Sequence, residues 1–169
     1  MMGQLINDLL ALSRLGRQKL KITEIDLRFL AEEVVNELKG QHSQRHLPFT
    51  LKPLPRVHGD RGLIRQVLVN LLDNSIKFTK HREEAKIELG SYPEGEETVH
   101  YVKDNGTGFN TKYADQLFGV FKSVHSRDKY GGTGVGLAIV QRIINRHDVQ
   151  IWAEGKLDEG ATFYFKLHN

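Results

Sequence analysis

Cysteine is absent from this sequence, which excludes both a disulfide framework and a thiolate metal site. Proline is scarce, with four residues in 169, and there is a single tryptophan. No run approaches the roughly 18 consecutive apolar residues of a membrane span, and no leader pattern stands at the start. A strong charge of either sign is also missing. Lysine and arginine number 24 against 21 aspartates and glutamates, a net +3, and so small an excess is no argument for nucleic acid. Internal repeats and low-complexity tracts are lacking as well. What remains, 39% hydrophobic and 27% charged, is an ordinary globular composition, long enough to bury a core without staples. These absences predict a cytoplasmic domain that makes no direct contact with membrane and binds no nucleic acid.

The most informative stretch is Gln66 to Thr79, QVLVNLLDNSIKFT. Wound at about 100° per residue, Gln66, Asn70, Asp73, Asn74 and Lys77 fall into one narrow stripe, while Leu68, Val69, Leu71, Leu72 and Ile76 cover the rest. A surface helix shows the reverse proportion, so this helix is expected to be largely buried. Its polar stripe suits a phosphate bound with Mg²⁺: asparagine offers a neutral oxygen to a hard cation, and lysine a point charge to phosphate. A buried helix whose asparagines are satisfied within the core would carry the same pattern.

Around it, the chain alternates helical and strand-like segments. Met2, Leu5, Leu9 and Leu12 repeat at heptad spacing, and a helix is expected up to Gly16. Arg17 to Lys21 reads as a basic connector. Asp26 is placed to cap a helix with Leu27, Leu30, Val34, Val35 and Leu38 inward, ending near Gly40. Pro53 and Pro55 restrict Phe49 to Val57 to short edge strands. His58-Gly59-Asp60 reads as a turn whose aspartate caps the buried helix, and Lys80 to Glu84 as a solvated loop. Lys86 to Tyr92 and Thr98 to Lys103 form an expected hairpin around Pro93-Glu94-Gly95. Asn110 to Gln116 suits a short helix, Gly119 to Gly132 a long loop and Val135 to Asn145 a helix. Val149 to Glu154 and Ala161 to Leu167 suit a closing hairpin around Asp158-Glu159-Gly160. The fold class expected is α/β, a two-layer sandwich of helices on a mixed, mostly antiparallel sheet.

Two glycine-rich boxes complete the pattern. Asp104-Asn105-Gly106-Thr107-Gly108 follows a strand directly, so the aspartate can accept from an exocyclic amine while the glycines admit a flat base. A plain Asp-Asn-Gly turn has the same sequence. Gly131-Gly132-Thr133-Gly134-Val135-Gly136-Leu137 runs into a helix, whose free N–H groups favour phosphate. The Gly-Lys-Ser/Thr of a P-loop is absent, and a long polar loop stands where a dinucleotide fingerprint needs a strand.

These boxes, in this order, resemble the ATP-binding domain of sensor histidine kinases, within the group that includes gyrase, Hsp90 and MutL. Asn70 to Phe78 looks like the family's N box and Asp104 to Gly108 like its first glycine box. Phe118 to Phe121 looks like its F box, Gly132 to Gly136 like its second glycine box, and Gly160 to Phe163 like its last. Leu117 to Phe121 and Trp152 to Gly155 are especially similar to phytochrome-type kinases. The resemblance implies a Bergerat-type ATP-binding fold over 26–169, preceded by a linker at 19–25. Residues 1–18 resemble the second helix of a dimerisation and phosphoacceptor hairpin, whose first helix with its histidine is not in the sequence.

By that resemblance Asn74 is the Mg²⁺ ligand, Asp104 pairs with the adenine amine, Lys77 contacts phosphate and Phe78 lies near adenine. Asn70 stands where hydrolysing relatives carry a glutamate that activates water, which implies transfer to an external nucleophile. The loop over 119–132 is then a mobile lid, with Phe121, Lys122, Arg127 and Lys129 within it. Gly106, Gly108, Gly132, Thr133, Gly134, Val135, Gly136, Leu137 and Thr162 are carried over as nucleotide-binding positions. The implied cofactors are ATP and Mg²⁺. The implied partners are the parent's phosphoacceptor hairpin, a response regulator receiver domain, and a second copy in a full-length homodimer. An ATP-gated conformational or binding module is the alternative. Two departures stand out: Asp148 and Val149 replace glycines that relatives commonly carry, and the chain ends without their proline.

Overall fold

The segment with regular period-two alternation, Gly160–His168, lies in the interior of the sheet. The computed structural model describes residues 6, 7, 9, 10, 13, 14, 19–110, 118 and 136–169. Its elements run β1 (Ile22–Asp26), α1 (Leu27–Gln41), β2 (Phe49–Leu51), β3 (Arg56–Asp60), α2 (Arg61–Phe78), β4 (Ile87–Glu94), β5 (Glu97–Asp104), α3 (Gly136–Arg146), β6 (Ile151–Lys156) and β7 (Gly160–His168). The strand order is β1-β3-β7-β5-β4-β2, with β6 also on β7. Among the described residues only the β2–β4 pair is parallel. The sheet is therefore mixed and mostly antiparallel, as expected.

Alternation decides which face the helices cover. Ala161, Phe163, Phe165 and Leu167 of β7 are buried, with Val102 of β5 and Ile87 and Leu89 of β4 in the same core cluster. Helix α2 lies over this face and packs against both α1 and α3. Its Leu68, Leu71, Leu72 and Ile76 are buried. Both expected caps form: Asp26 accepts from the Phe29 N–H at 3.1 Å, and Asp60 Oδ1 from the Leu63 N–H at 3.2 Å. Asp60 also accepts from the Lys21 N–H at 3.0 Å, while its own N–H donates to His147 Nε2 at 3.0 Å.

Several expectations need correction. Ile22–Asp26 is a strand, not part of a linker over 19–25, and His58-Gly59-Asp60 is the end of its partner β3, not a turn. Only Ile25 of β1 is buried, so backbone pairing rather than apolar alternation makes this strand, and no periodic signal announces it. Strand β3 also lies inside the sheet, between β1 and β7, whereas β2 is at the edge. In the first hairpin the turn is Gly95-Glu96, with Pro93 inside β4. Proline is tolerated there because β2 pairs with β4 only over Ile87, Glu88 and Leu89, which leaves the rest of that side an edge. After α3 the left-handed position falls on Asp148, φ 58°, and not on Val149. Aspartate tolerates it far better than a β-branched residue. Residues 6, 7, 9, 10, 13 and 14 are helical, with Ile6, Leu9 and Leu10 exposed. The short helix expected over 110–116 lies outside the described residues except for Asn110.

Candidate functional site

The polar stripe of α2 keeps its side chains half-exposed beside the buried arc of Leu68, Leu71, Leu72 and Ile76: Gln66, Asn70, Asp73, Asn74 and Lys77 all share this state. Its charges are partnered. Lys77 Nζ lies 3.1 Å from Asp73 Oδ2, and His42 Nε2, just past the end of α1, lies 3.7 Å from Asp73 Oδ1. An anion reaching Lys77 therefore competes with Asp73.

At the C-terminal end of β5, Asp104 faces this helix and is only 4% exposed. Its Oδ1 accepts from the Gly106 N–H at 2.9 Å and its Oδ2 from the Ser75 hydroxyl at 3.1 Å. Burial pushes the carboxyl up to about 6, against the opposing hydrogen bonds from Gly106, Ser75 and Ala161. Ser75 is a site residue that the sequence motifs do not mark. Its only sequence signal is a small hydroxyl within the apolar arc of α2.

The loop after β5 is tied on both sides. The Thr107 N–H donates to the Phe78 carbonyl at 3.0 Å, so Phe78 supports the loop through its backbone. The Asn105 side chain accepts from the Lys86 N–H at 2.8 Å and donates to the Glu84 carbonyl at 3.0 Å. Gly108 turns the chain at φ 64° against the β6–β7 turn. From the other direction α3 begins at Gly136, where a β-carbon would stand 3.4 Å from Asn70 Oδ1. Leu137 behind it packs against the core.

The structure thus gathers Asn70, Asn74, Lys77 and Gly136 along α2, and Phe78, Asp104, Gly106 and Gly108 at its C-terminal end. Thr162 is not among them. It pairs with Lys103 and Glu154 and hydrogen-bonds to Tyr164 on the opposite face. Successive residues of a strand alternate faces, so Ala161 takes the inward place. Phe121, Lys122, Arg127, Lys129, Gly132, Thr133, Gly134 and Val135, with the expected lid, lie outside the described residues. Of the F box, Phe118 is described: it is buried, edge-on to Phe163 with centroids 6.3 Å apart.

Residues 59–169 match the family described as histidine kinase-, DNA gyrase B-, and HSP90-like ATPase. The chain belongs to this family. It is 35% identical over 99% of its length to cyanobacterial phytochrome A of Nostoc sp. (strain PCC 7120). Over 98% of its length it is 39% identical to the methanogenesis regulatory histidine kinase FilI of Methanothrix harundinacea. The chain spans only 22% and 19% of those two proteins. Among solved structures, full-length ShkA in complex with AMPPNP is similar at a TM-score of 0.82 and 27% identity, over 96% of this chain and 35% of that one.

The ATPase domain's donor set suits the family's nucleotide. A buried carboxylate has about four lone-pair sites, so Asp104, with donors from Gly106, Ser75 and Ala161, can still accept from an exocyclic amine. Carboxamide oxygens suit a hard cation that keeps most of its water. Among the described residues no group of three or more His, Asp or Glu is placed to hold a metal by itself. None of the helices among the described residues is long and apolar enough to cross a membrane.

Proposed function

We propose that this ATPase domain binds Mg²⁺-ATP and transfers the γ-phosphoryl group to a histidine on a helical hairpin of its parent protein. The observation that carries this reading is the content of the α2 stripe beside Asp104. Asn70 and Asn74 supply carboxamides, Lys77 an ammonium, and the stripe's one carboxylate, Asp73, is engaged by Lys77 and His42. A carboxamide cannot take a proton from water near neutral pH, which favours an external nucleophile over hydrolysis. Asp104 would take the adenine amine, and Lys77 and Asn70 would face the phosphates. Asn74, with Asn70 beside it, would hold Mg²⁺, which supplies charge neutralisation to the phosphate oxygens. Residues 1–18 belong in this reading to the second hairpin helix. The hairpin in a cytoplasmic homodimer would be the phosphoacceptor, and a receiver domain would take the phosphoryl group onward.

Phosphoryl transfer is mostly positioning and charge stabilisation around an in-line nucleophile, so a missing acceptor cannot be offset by a good ATP site. The chain alone with radiolabelled Mg²⁺-ATP should bind nucleotide yet incorporate no acid-labile phosphate. Adding the parent's complete hairpin should restore labelling on the hairpin histidine. Labelling of this chain at one of its own histidines, or steady phosphate release into water, would overturn the assignment. The second result would instead favour an ATP-gated conformational module.

The cation role has its own check. Asn74→Ala should weaken ATP binding by about 1–3 kcal/mol in Mg²⁺ and hardly at all in a chelator. An equal loss under both conditions would make Asn74 a structural residue.

A further inference from the structure

Residues 79–86, between α2 and β4, carry no motif, yet one side chain from this loop reaches the base-facing end of the site. Arg82 Nε donates to the Asn105 carbonyl at 2.8 Å, and Nη2 to the Gly106 carbonyl at 3.3 Å. The same Nη2 donates to the Asp158 carbonyl in the β6–β7 turn. The Asp158 N–H in turn donates to the Thr107 carbonyl at 2.7 Å. A planar guanidinium with five donors can serve three carbonyls at once, which an ammonium on a flexible stem cannot do in fixed geometry.

The two carbonyls in the loop belong to consecutive peptide groups whose N–H ends carry the site. The Asn105 carbonyl shares its peptide with the Gly106 N–H, which holds Asp104 Oδ1 at 2.9 Å. The Gly106 carbonyl shares its peptide with the Thr107 N–H, which holds the Phe78 carbonyl at 3.0 Å. A cation on the oxygen side of a peptide polarises its N–H and strengthens the bond beyond it. We propose that Arg82 is a positioning residue for base recognition, acting through these two peptides to aim the Asp104 carboxylate before nucleotide arrives. The proposal rests on the ATP-binding reading above, and it assigns to Arg82 a contact with the loop and none with nucleotide.

The test compares ligands that share only part of ATP. Mg²⁺-ATP, Mg²⁺-GTP and Mg²⁺-tripolyphosphate are titrated into the unmodified chain and into Arg82→Gln and Arg82→Lys. Arg82→Gln should lose roughly tenfold in ATP affinity, the scale of one charge-assisted hydrogen bond. Its preference for ATP over GTP should narrow, and its tripolyphosphate affinity should not change. Arg82→Lys keeps the charge without the fork and should fall in between; it also serves should the glutamine variant not fold. Unchanged ATP affinity, or equal losses for ATP and tripolyphosphate, would overturn the proposal, the latter by showing general destabilisation.

A second readout needs no nucleotide. The Asp104 carboxyl, followed by carbon NMR, should titrate at higher pH in either variant, because a looser Gly106 N–H stabilises the anion less. An unmoved midpoint counts against Arg82. Failure of the unmodified chain to bind ATP while this midpoint moves would instead sink the nucleotide reading and leave the peptide coupling standing.

Discussion

Gly108→Ala should destabilise the domain two- to fourfold more than Gly95→Ala, although both glycines have φ 64°. The left-handed backbone alone costs an alanine about 1 kcal/mol. At Gly95 that is the whole cost, since a β-carbon there meets nothing within 4 Å. At Gly108 the β-carbon would run into the backbone carbonyls of Lys156 and Gly160. Two segments of main chain would have to separate, and overpacking of this kind costs about 1–3 kcal/mol more, for a total of roughly 2–4 kcal/mol. Midpoints of denaturant unfolding check the pair, and equal losses would refute the steric account. Function should separate them further. Gly108 is in the loop held to Asp104, whereas Gly95 is at the opposite end of the β4–β5 hairpin, so only Gly108→Ala should weaken ATP binding.

Asp104→Asn should abolish most of the preference for adenine over guanine nucleotides. The carboxylate accepts only, whereas a carboxamide can present a donor against the adenine amine. The loss of a hydrogen bond to a charged group is worth about 1.5–3 kcal/mol, which calorimetry reads as a roughly 10- to 150-fold loss of ATP affinity. Equal ATP and GTP affinities in the unmodified domain would sink the assignment. The same residue predicts a pH dependence. With its pKa raised from 3.8 to about 6, the folded chain keeps this proton when the unfolded chain has released it. Its contribution to stability is therefore fully present below about pH 4 and falls as pH rises through 6. Nucleotide binding runs the other way, because an amine needs the anion, so affinity should rise through the same window. Subtracting the Asp104→Asn profile removes the phosphates' own titration, and a flat difference between pH 5 and 7 would contradict the role.

Much of this site is written locally in the chain. The α2 stripe follows from a 3.6-residue period acting on five polar positions. The caps at Asp26 and Asp60 follow from an acceptor at the start of an apolar run. The inward face of β7 follows from alternation. Where the sequence reading failed, period and local chemistry were silent. Strand β1 has one buried residue in five and is held by pairing with β3, from Ile22 with Asp60 to Asp26 with Arg56, a contact between segments far apart in the chain. Thr162 belongs to a recognisable box, but its side depends on a strand register that no single segment reveals.

What the sequence determined by itself was a set of local periods, caps and glycine positions, sufficient for the fold class and for setting Asn70, Asn74 and Lys77 on one stripe of α2 and Asp104 at a strand end. Each of these rests on interactions among near neighbours in the chain. The tertiary structure alone decided that the Ser75 hydroxyl holds the Asp104 carboxylate and that His42 comes up to Asp73. It also decided that Arg82, from a loop of ordinary charged composition, closes on three carbonyls from two other segments. Such contacts depend on where hairpins and helices come to rest against one another, and packing between distant segments leaves no period in the sequence to read.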